Sequence, residues 1–438
     1  MTSLAEQIVW QEPEIPSKWD IIPIHNSDRA AFRRCRRYWD WSSPSRTNLT
    51  VRADIHGINM PLFFGTGIHF ALERFYKPGV RHDPVEAFKT WWDIQWRGGI
   101  VTEDWLDKVY DLKPKPIPPD MAGFSASEAK FVDGKVVHEP VTMTWVVRGL
   151  EDILPEYDHN EWDEAKELGI GMMEYYKEYA EINDDFEVIV AEHMFSVPIF
   201  DYNSGLKPLT AIDRREESPN YGKKLEVHAR GRQDQLWTRP NGKLGILENK
   251  TAARWGEDEL RKLESDEQTT HYLWAAEVEA AYYGLPHKGE PLEEVIYNVL
   301  RKAYPKPPTA LKSGMFSTDR QNESTTAVLL EQWIAANMPG VPLSEKQQGY
   351  LEYVREVGDE NFIVRKAVRR NRHQLRNAGY RLYLETLDML SPNLRIYPNI
   401  SNSHKCLNCA FRAPCMAKED GGDWEQLIKD NYTVNKDR

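Results

Sequence analysis

Asp234, Glu248 and Lys250 fall within the stretch Gly231 to Lys250, GRQDQLWTRPNGKLGILENK. Residues Val227 to Trp237 can extend, Arg239-Pro240-Asn241-Gly242 supplies turn chemistry, and Lys243 to Lys250 can return as a second strand. A hairpin folded about Pro240 and Asn241 sets Asp234 opposite Leu247 and Glu248. Side chains alternate along a strand, so Glu248 and Lys250 share one face, together with Leu244 and Ile246. Two carboxylates and an ammonium then converge at one end of a largely apolar hairpin. Carboxylate oxygens are hard ligands suited to Mg2+ or Mn2+. Such an ion polarises a phosphoryl oxygen and activates water, and a lysine beside it offsets developing charge. The chemistry these residues fit is metal-dependent phosphodiester hydrolysis. A solvated ion pair on a surface hairpin uses the same residue types, so the hairpin alone leaves both readings open.

Other reactive residues lie outside the hairpin. His69 and Glu73 form an i, i+4 pair on a helix that follows Phe64-Gly65-Thr66-Gly67. Glu192 sits on a strand from Glu187 to Pro198 and alternates away from Ala191 and His193, so it could approach the metal from an adjacent strand. Gln268 and Tyr272 share one face of a helix read over Glu257 to Tyr283, closed by Gly284 and Pro286. From Asn361 to Leu384 there is no acidic residue, but Arg365, Lys366, Arg369, Arg370, Arg372, Arg376 and Arg381 are present, a pattern that fits phosphate tracking. Cys406, Cys409 and Cys415 give C-x2-C-x5-C and, with Cys35, complete the chain's four cysteines. Four thiolates suit tetrahedral Zn2+ or a 4Fe–4S cluster.

The elements that must position these groups can be read in order. Residues 1–26 read as an irregular arm rich in Pro and acid. Ser27 can cap a helix over SDRAAFRRCRRYWDW, which carries Cys35. Trp91, Trp92, Trp96 and Trp105 form an aromatic stripe that suits a core or base stacking. Asp111 to Asp120 is a Pro-rich connector, a long helix runs from about Asp158 to Ala180, and Val295 to Leu300 reads as a buried strand. Residues 304–326 read as loop, with further helix to about Val357.

A net charge of −12 over 438 residues excludes a uniformly basic nucleic-acid binder, so any DNA contact must come from local basic patches. No run of apolar residues is long enough to span a membrane. The first residues lack a signal-peptide pattern, which leads to the expectation of a cytoplasmic protein with reduced thiols. No G-x-x-x-x-G-K-[ST] loop is present, which excludes a P-loop motor.

The order of these motifs carries a resemblance. Cys35, His69 after Gly-Thr-Gly, Gly231-Arg232-Gln233-Asp234, Glu248-Asn249-Lys250, Gln268-x-x-x-Tyr272 and C-x2-C-x5-C together resemble the RecB-type branch of the PD-(D/E)XK nucleases. The similarity is greatest to its iron–sulfur members: the AddB nuclease domain, the CRISPR-adaptation nucleases and their phage-encoded relatives. It spans Ser27 to Met416. It implies that His69, Asp234, Glu248 and the Asn249 carbonyl hold a Mg2+ or Mn2+ ion. It implies that Lys250 positions the attacking water and that Gln268 and Tyr272 support the site and contact DNA. Cys35, Cys406, Cys409 and Cys415 would bind a 4Fe–4S cluster, with Zn2+ as the alternative. Two departures stand out: Gln235 follows the acidic residue where many members carry Ile or Arg, and roughly a hundred residues separate the His69 helix from the Glu192 strand. The second departure prevents any transfer of cleavage polarity.

The implied fold class is α/β, a PD-(D/E)XK restriction-endonuclease-like core. Its central mixed sheet would hold strands near 187–198, 227–237, 243–250 and 295–300, flanked by helices. One nuclease domain would span 27–416, with a mostly helical insertion at 77–186. A basic segment and iron–sulfur subdomain at 361–416 would join both termini, and 1–26 and 417–438 would be terminal arms. The implied activity is that of a metal-dependent DNA exonuclease working from ends or on single strands, in recombination, repair or phage DNA processing. Arg365, Arg369, Arg370, Arg372 and Arg376 would bind DNA, with a helicase or recombinase as a possible partner in trans. The alternatives are a structure-specific endonuclease that trims CRISPR spacers, and a non-catalytic DNA-end-binding subunit.

Overall fold

In the computed structural model, the residues described are 15–52, 58–102, 144–154, 157–215, 217–283, 294–400 and 403–434, with short stretches between 105 and 137 and Leu292. The chain divides into two units: 1–55, 76–81 and 180–438 form the first, and 56–75 with 82–179 the second. No helix among the described residues is long and apolar enough to cross a membrane.

The first unit is built on one mixed sheet of seven strands. These are β1 (Ile21–His25), β2 (Glu187–Pro198), β3 (Thr210–Ile212), β4 (Lys224–Thr238), β5 (Leu244–Ala252), β6 (Glu294–Arg301) and β7 (Ile363–Arg369). The hairpin forms where the turn residues predict it. Arg239 N donates to Lys243 O at 3.0 Å, Gly242 N donates to Arg239 O at 2.8 Å, and Gly242 takes φ 80°. That left-handed backbone is where a glycine is favoured.

β4 organises the sheet because both of its edges are occupied. One edge carries β2, antiparallel from His228↔Pro198 to Thr238↔Glu187, and β3 beyond it. The other edge is shared. β1 runs parallel along Glu226 to Arg230, and β5 pairs antiparallel only with Gln235 to Thr238. Past Leu247, β5 leaves β4 and continues alongside β6 in parallel, and β7 closes the sheet antiparallel to β6. A parallel neighbour needs a crossover. Here it runs through Glu257–Leu263 and then α3, named below.

Among the helices of this unit are α1 (Asn26–Arg34), α2 (Arg36–Ser42), α3 (Glu267–Tyr283), α4 (Arg372–Leu390), α5 (Arg412–Glu419) and α6 (Trp424–Asn431). α3 packs on β2, β4, β5 and β6, and α4 packs on α3. Phe195, Val227, Ala229, Leu236, Ile246, Leu273, Ala275 and Tyr297 are all buried in the resulting core. The core forms because α3 presents a largely apolar face to strands whose inward positions are mostly Val, Ile, Leu and aromatic.

Four expectations about elements are corrected. The arm at 1–26 contributes β1 to the sheet, since Ile21, Ile22 and Ile24 alternate with nothing charged and are buried. The Cys35 helix is two helices, because Cys35 itself is extended (φ −168°, ψ 122°), and its first residue is Asn26, with His25 rather than Ser27 at the cap. The helix read over Glu257 to Tyr283 breaks at Asp266, whose carboxylate accepts Gln268 N at 2.9 Å and whose carbonyl takes Thr270 N at 3.4 Å. The C-terminal arm contains α6 and a strand, Tyr432–Val434, paired antiparallel with Leu49–Val51. Gly284, Pro286 and most of Asp111 to Asp120 lie outside the described residues.

The second unit contains helices Met60–Phe75 and Pro84–Arg97, most of His159–Asn183, and a three-stranded sheet of Gly98–Thr102, Thr144–Arg148 and Lys115–Ile117. Trp91 and Trp92 of the Trp stripe are core, with Trp92 and Trp162 ring centroids 4.4 Å apart, whereas Trp96 and Trp105 are half-buried. The Gly-Thr-Gly segment lies inside helix Met60–Phe75, not ahead of it. A Cβ on Gly67 would come within 2.7 Å of the Trp91 ring, so glycine there lets two helices close on each other.

Candidate active site

Strand divergence makes the site. On the shared edge of β4, residues 231–234 fall between the end of β1 pairing at Arg230 and the start of β5 pairing at Gln235. Asp234 occupies the end of that gap. Its Oδ2 accepts the backbone N–H of Asn249 at 2.7 Å, which ties it to β5 just where that strand departs. Glu248 and Lys250 flank Asn249 and point to the α3 side. Lys250 Nζ donates to Glu248 Oε1 at 2.5 Å. Gln268, in the first turn of α3, spans the pair: its Nε2 lies 3.3 Å from Glu248 Oε1 and its Oε1 3.5 Å from Lys250 Nζ. The same Nε2 donates to Tyr272 Oη at 2.8 Å. The structure therefore brings Asp234, Glu248, Asn249, Lys250, Gln268 and Tyr272 together.

Burial sets the electrostatics. Glu248 is 2% exposed, so its carboxylate must be offset by a partner. Burial pulls the Lys250 ammonium down, but Glu248, with Asp234 and Asp266 behind it, outweighs this and holds its pKa above the usual lysine value. Burial, assisted by the Glu248 charge, pushes the Tyr272 phenol well above its ordinary range, so it stays protonated. Close approach is built into β4 here, because a Cβ on Gly231 would meet the Phe195 ring at 2.7 Å and Tyr272 at 3.5 Å.

Glu192 is placed by a strained residue in a long strand. In the β2–β4 register, Gln233↔His193 and Gln235↔Ala191 are paired, which leaves Glu192 opposite Asp234. Glu192 takes φ +55°, a conformation costing about 1–3 kcal/mol for a residue with a Cβ. Arg232 Nε lies 2.8 Å from Glu192 Oε2. Next to it, His193 Nε2 and Glu279 Oε2 are 2.6 Å apart and fully buried, which clamps β2 onto α3. His69 lies on helix Met60–Phe75 in the second unit and is half-buried.

Sequence reasoning missed a buried polar row on the opposite face of the sheet. Asn249 Nδ2 donates to Gln235 Oε1 at 2.8 Å, and Asn298 Nδ2 donates to Asn249 Oδ1 at 2.7 Å. Arg365 Nε donates to Asn298 Oδ1 at 3.4 Å, and Arg365 Nη2 pairs with Asp184 at 2.6 Å. This row fixes the Asn249 peptide from behind, so the N–H that holds Asp234 cannot rotate away. The signal was present in the sequence: Asn298 interrupts the apolar run VIYNVL at a central strand position.

The basic stretch is only partly a surface. Arg365 belongs to that buried row. Arg370 is 4% exposed and donates to Thr270 Oγ1 at 2.8 Å and Leu263 O at 3.2 Å. The expectation that Arg365 and Arg370 contact DNA is therefore corrected: both guanidiniums are spent on internal partners. Arg369, Arg372 and Arg376 are exposed, and Arg369 also pairs with Glu294 at 2.9 Å.

The four cysteines line a single pocket, reached from both ends of the chain. Cys35 enters from the α1–α2 break and accepts Asn399 N at 3.3 Å. Cys406, Cys409 and Cys415 enter from the C-terminal segment. Arg37 Nη1 lies 3.5 Å from Cys415 Sγ and 2.6 Å from Glu419 Oε1, and Arg34, Lys405 and Arg412 also line the pocket. Burial pushes the Cys409 thiol up, and neighbouring Cys35 and Cys415 push it further. Four soft donors among cations fit a thiolate-bound metal group, whose negative charge the cations would offset.

Residues 27–416 match the profile of the PD-(D/E)XK nuclease superfamily. The chain belongs to that superfamily. Among curated proteins none matches it. Membership implies nuclease chemistry with DNA as the substrate, in a superfamily that generally uses Mg2+ or Mn2+. The mixed α/β sheet and its flanking helices agree with that fold.

Proposed function

We propose that this nuclease is a Mg2+- or Mn2+-dependent deoxyribonuclease of the RecB type that works from DNA ends or on single strands. The observation that carries the reading is the convergence of Asp234, Glu248 and Lys250 under Gln268 at the β4–β5 divergence. Asp234 and Glu248, with the Asn249 carbonyl, supply hard oxygen donors for the ion, and Glu192 faces Asp234 from β2 as a further carboxylate. Motif resemblance adds His69 to this ligand set. When bound, the ion supplies Lewis acidity toward a phosphoryl oxygen and acidifies water.

The chain's own residues do the rest. Lys250 stays protonated and donates hydrogen bonds, so it can orient an incoming water and offset charge growing on the phosphate. Gln268, held by Tyr272, keeps the Lys250 and Glu248 side chains in one geometry. Exposed Arg369, Arg372 and Arg376 are suited to the DNA backbone, outside the reacting centre. The cysteine pocket would hold a 4Fe–4S cluster, by resemblance to the iron–sulfur members, and would tie the two ends of the chain together. Its unpaired thiols suit a reducing, cytoplasmic setting.

The test uses linear DNA labelled at either end and covalently closed circles, both single- and double-stranded, with Mg2+ or Mn2+. Loss of label from linear DNA with circles spared supports the exonuclease. Cleavage of closed circles would replace it with an endonuclease.

A further inference from the structure

Helix α1 stops at Cys35, and its last turn reaches the active-site helix. Arg33 Nη1 pairs with Glu267, the first residue of α3, and lies 3.3 Å from Glu385 on α4. Glu385 also takes Arg29 Nε at 2.6 Å, and Arg381 Nη1 stands 3.6 Å from Glu267. Burial pushes the Glu267 carboxyl up, but Arg33, with Arg29 and Arg381, holds it below the usual range. One residue further on is Gln268, which bridges Glu248 and Lys250. From the sheet side the same turn is pinned by Asp266, whose Oδ2 accepts Tyr297 Oη–H at 3.1 Å. The turn that carries Gln268 is thus gripped twice, once by the sheet and once by the helix leading to the cysteine pocket.

We propose that Glu267 is a positioning residue which, through Arg33, couples the Cys35 helix to the turn carrying Gln268. This rests on the nuclease reading of the site. Arg33 and Glu267 are 37% and 34% exposed, so their ion pair adds little to folding stability. Its effect is geometric, and small misplacements of a site residue are costly to rate.

The test measures steady-state DNA cleavage and amide hydrogen exchange on the full chain. Glu267→Gln and Arg33→Gln are expected to lower kcat about tenfold, with KM for DNA and melting temperature close to wild type. Arg33→Lys keeps the charge and should recover most of kcat. Independently of cleavage, amides at 267–270 should exchange faster in Glu267→Gln and in Cys35→Ser, while those of β5 do not. Unchanged kcat in both Gln variants would overturn the coupling. So would unchanged exchange at 267–270, or faster exchange spread evenly over β5 as well. A wild-type chain that cuts no DNA would defeat the nuclease reading instead, and the exchange result would then decide the coupling alone.

Discussion

Replacing Lys250 by alanine separates its two roles. Its ammonium is the 2.5 Å partner of Glu248, whose side chain is 3% exposed. Breaking a fully buried pair costs roughly 3–5 kcal/mol, but the Lys250 side chain is 35% exposed, so water can reach the bereaved carboxylate. A loss of about 1–3 kcal/mol is therefore expected in metal-free protein, the range for one unsatisfied buried group. Added Mg2+ should reverse much of it. The cation offsets Glu248, and removal of a neighbouring positive charge favours cation binding, so the melting temperature should rise more in Lys250→Ala than in wild type. Cleavage should nonetheless fall about a hundredfold or more, as for loss of a charge-stabilising donor. The assay is a thermal melt with and without Mg2+ beside a single-turnover digestion. Near wild-type cleavage, or a smaller Mg2+-induced shift than in wild type, would refute the reasoning.

Asp234→Asn should abolish the Mg2+-induced rise in melting temperature and cleavage together, while gel-shift affinity for DNA in EDTA persists, because phosphate contacts lie elsewhere. Combined Arg372→Gln and Arg376→Gln should flatten the salt dependence of DNA binding by about 0.7–0.9 in slope per lost contact, whereas Arg365→Gln should lower chemical stability through its Asp184 pair and leave that slope alone. Cys35→Ala should cost as much bound metal as Cys409→Ala, measured by elemental analysis of anaerobically purified protein, because both line one pocket.

The hairpin, its turn and the spacing of Glu248 and Lys250 were legible because they follow from local chemistry: Pro240 and Gly242 fix the turn, and alternation fixes the face. The strands that went unread depend on distant partners. β1 pairs in parallel with β4, about two hundred residues later, and nothing local marks it beyond three isoleucines. β7 was obscured by its arginines. Arg365 reads as surface charge until Asp184 is placed against it. Cys35 sits in a run with continuous helical character, and nothing local marks its extended backbone, which turns its sulfur toward the distant Asn399 N–H. Asp266 offered the plainest missed signal, since an Asp after Leu-Glu-Ser is an ordinary helix cap.

The most direct measurement of the central claim is digestion of labelled DNA by wild-type protein and by Glu248→Gln, with Mg2+ or Mn2+ and with EDTA. This substitution keeps the size of the side chain and removes the charge that faces Lys250. Metal-dependent cleavage by wild type is expected, with none in EDTA and a loss of orders of magnitude in Glu248→Gln with DNA still bound. Equal cleavage by both proteins, or cleavage unaffected by EDTA, would contradict it.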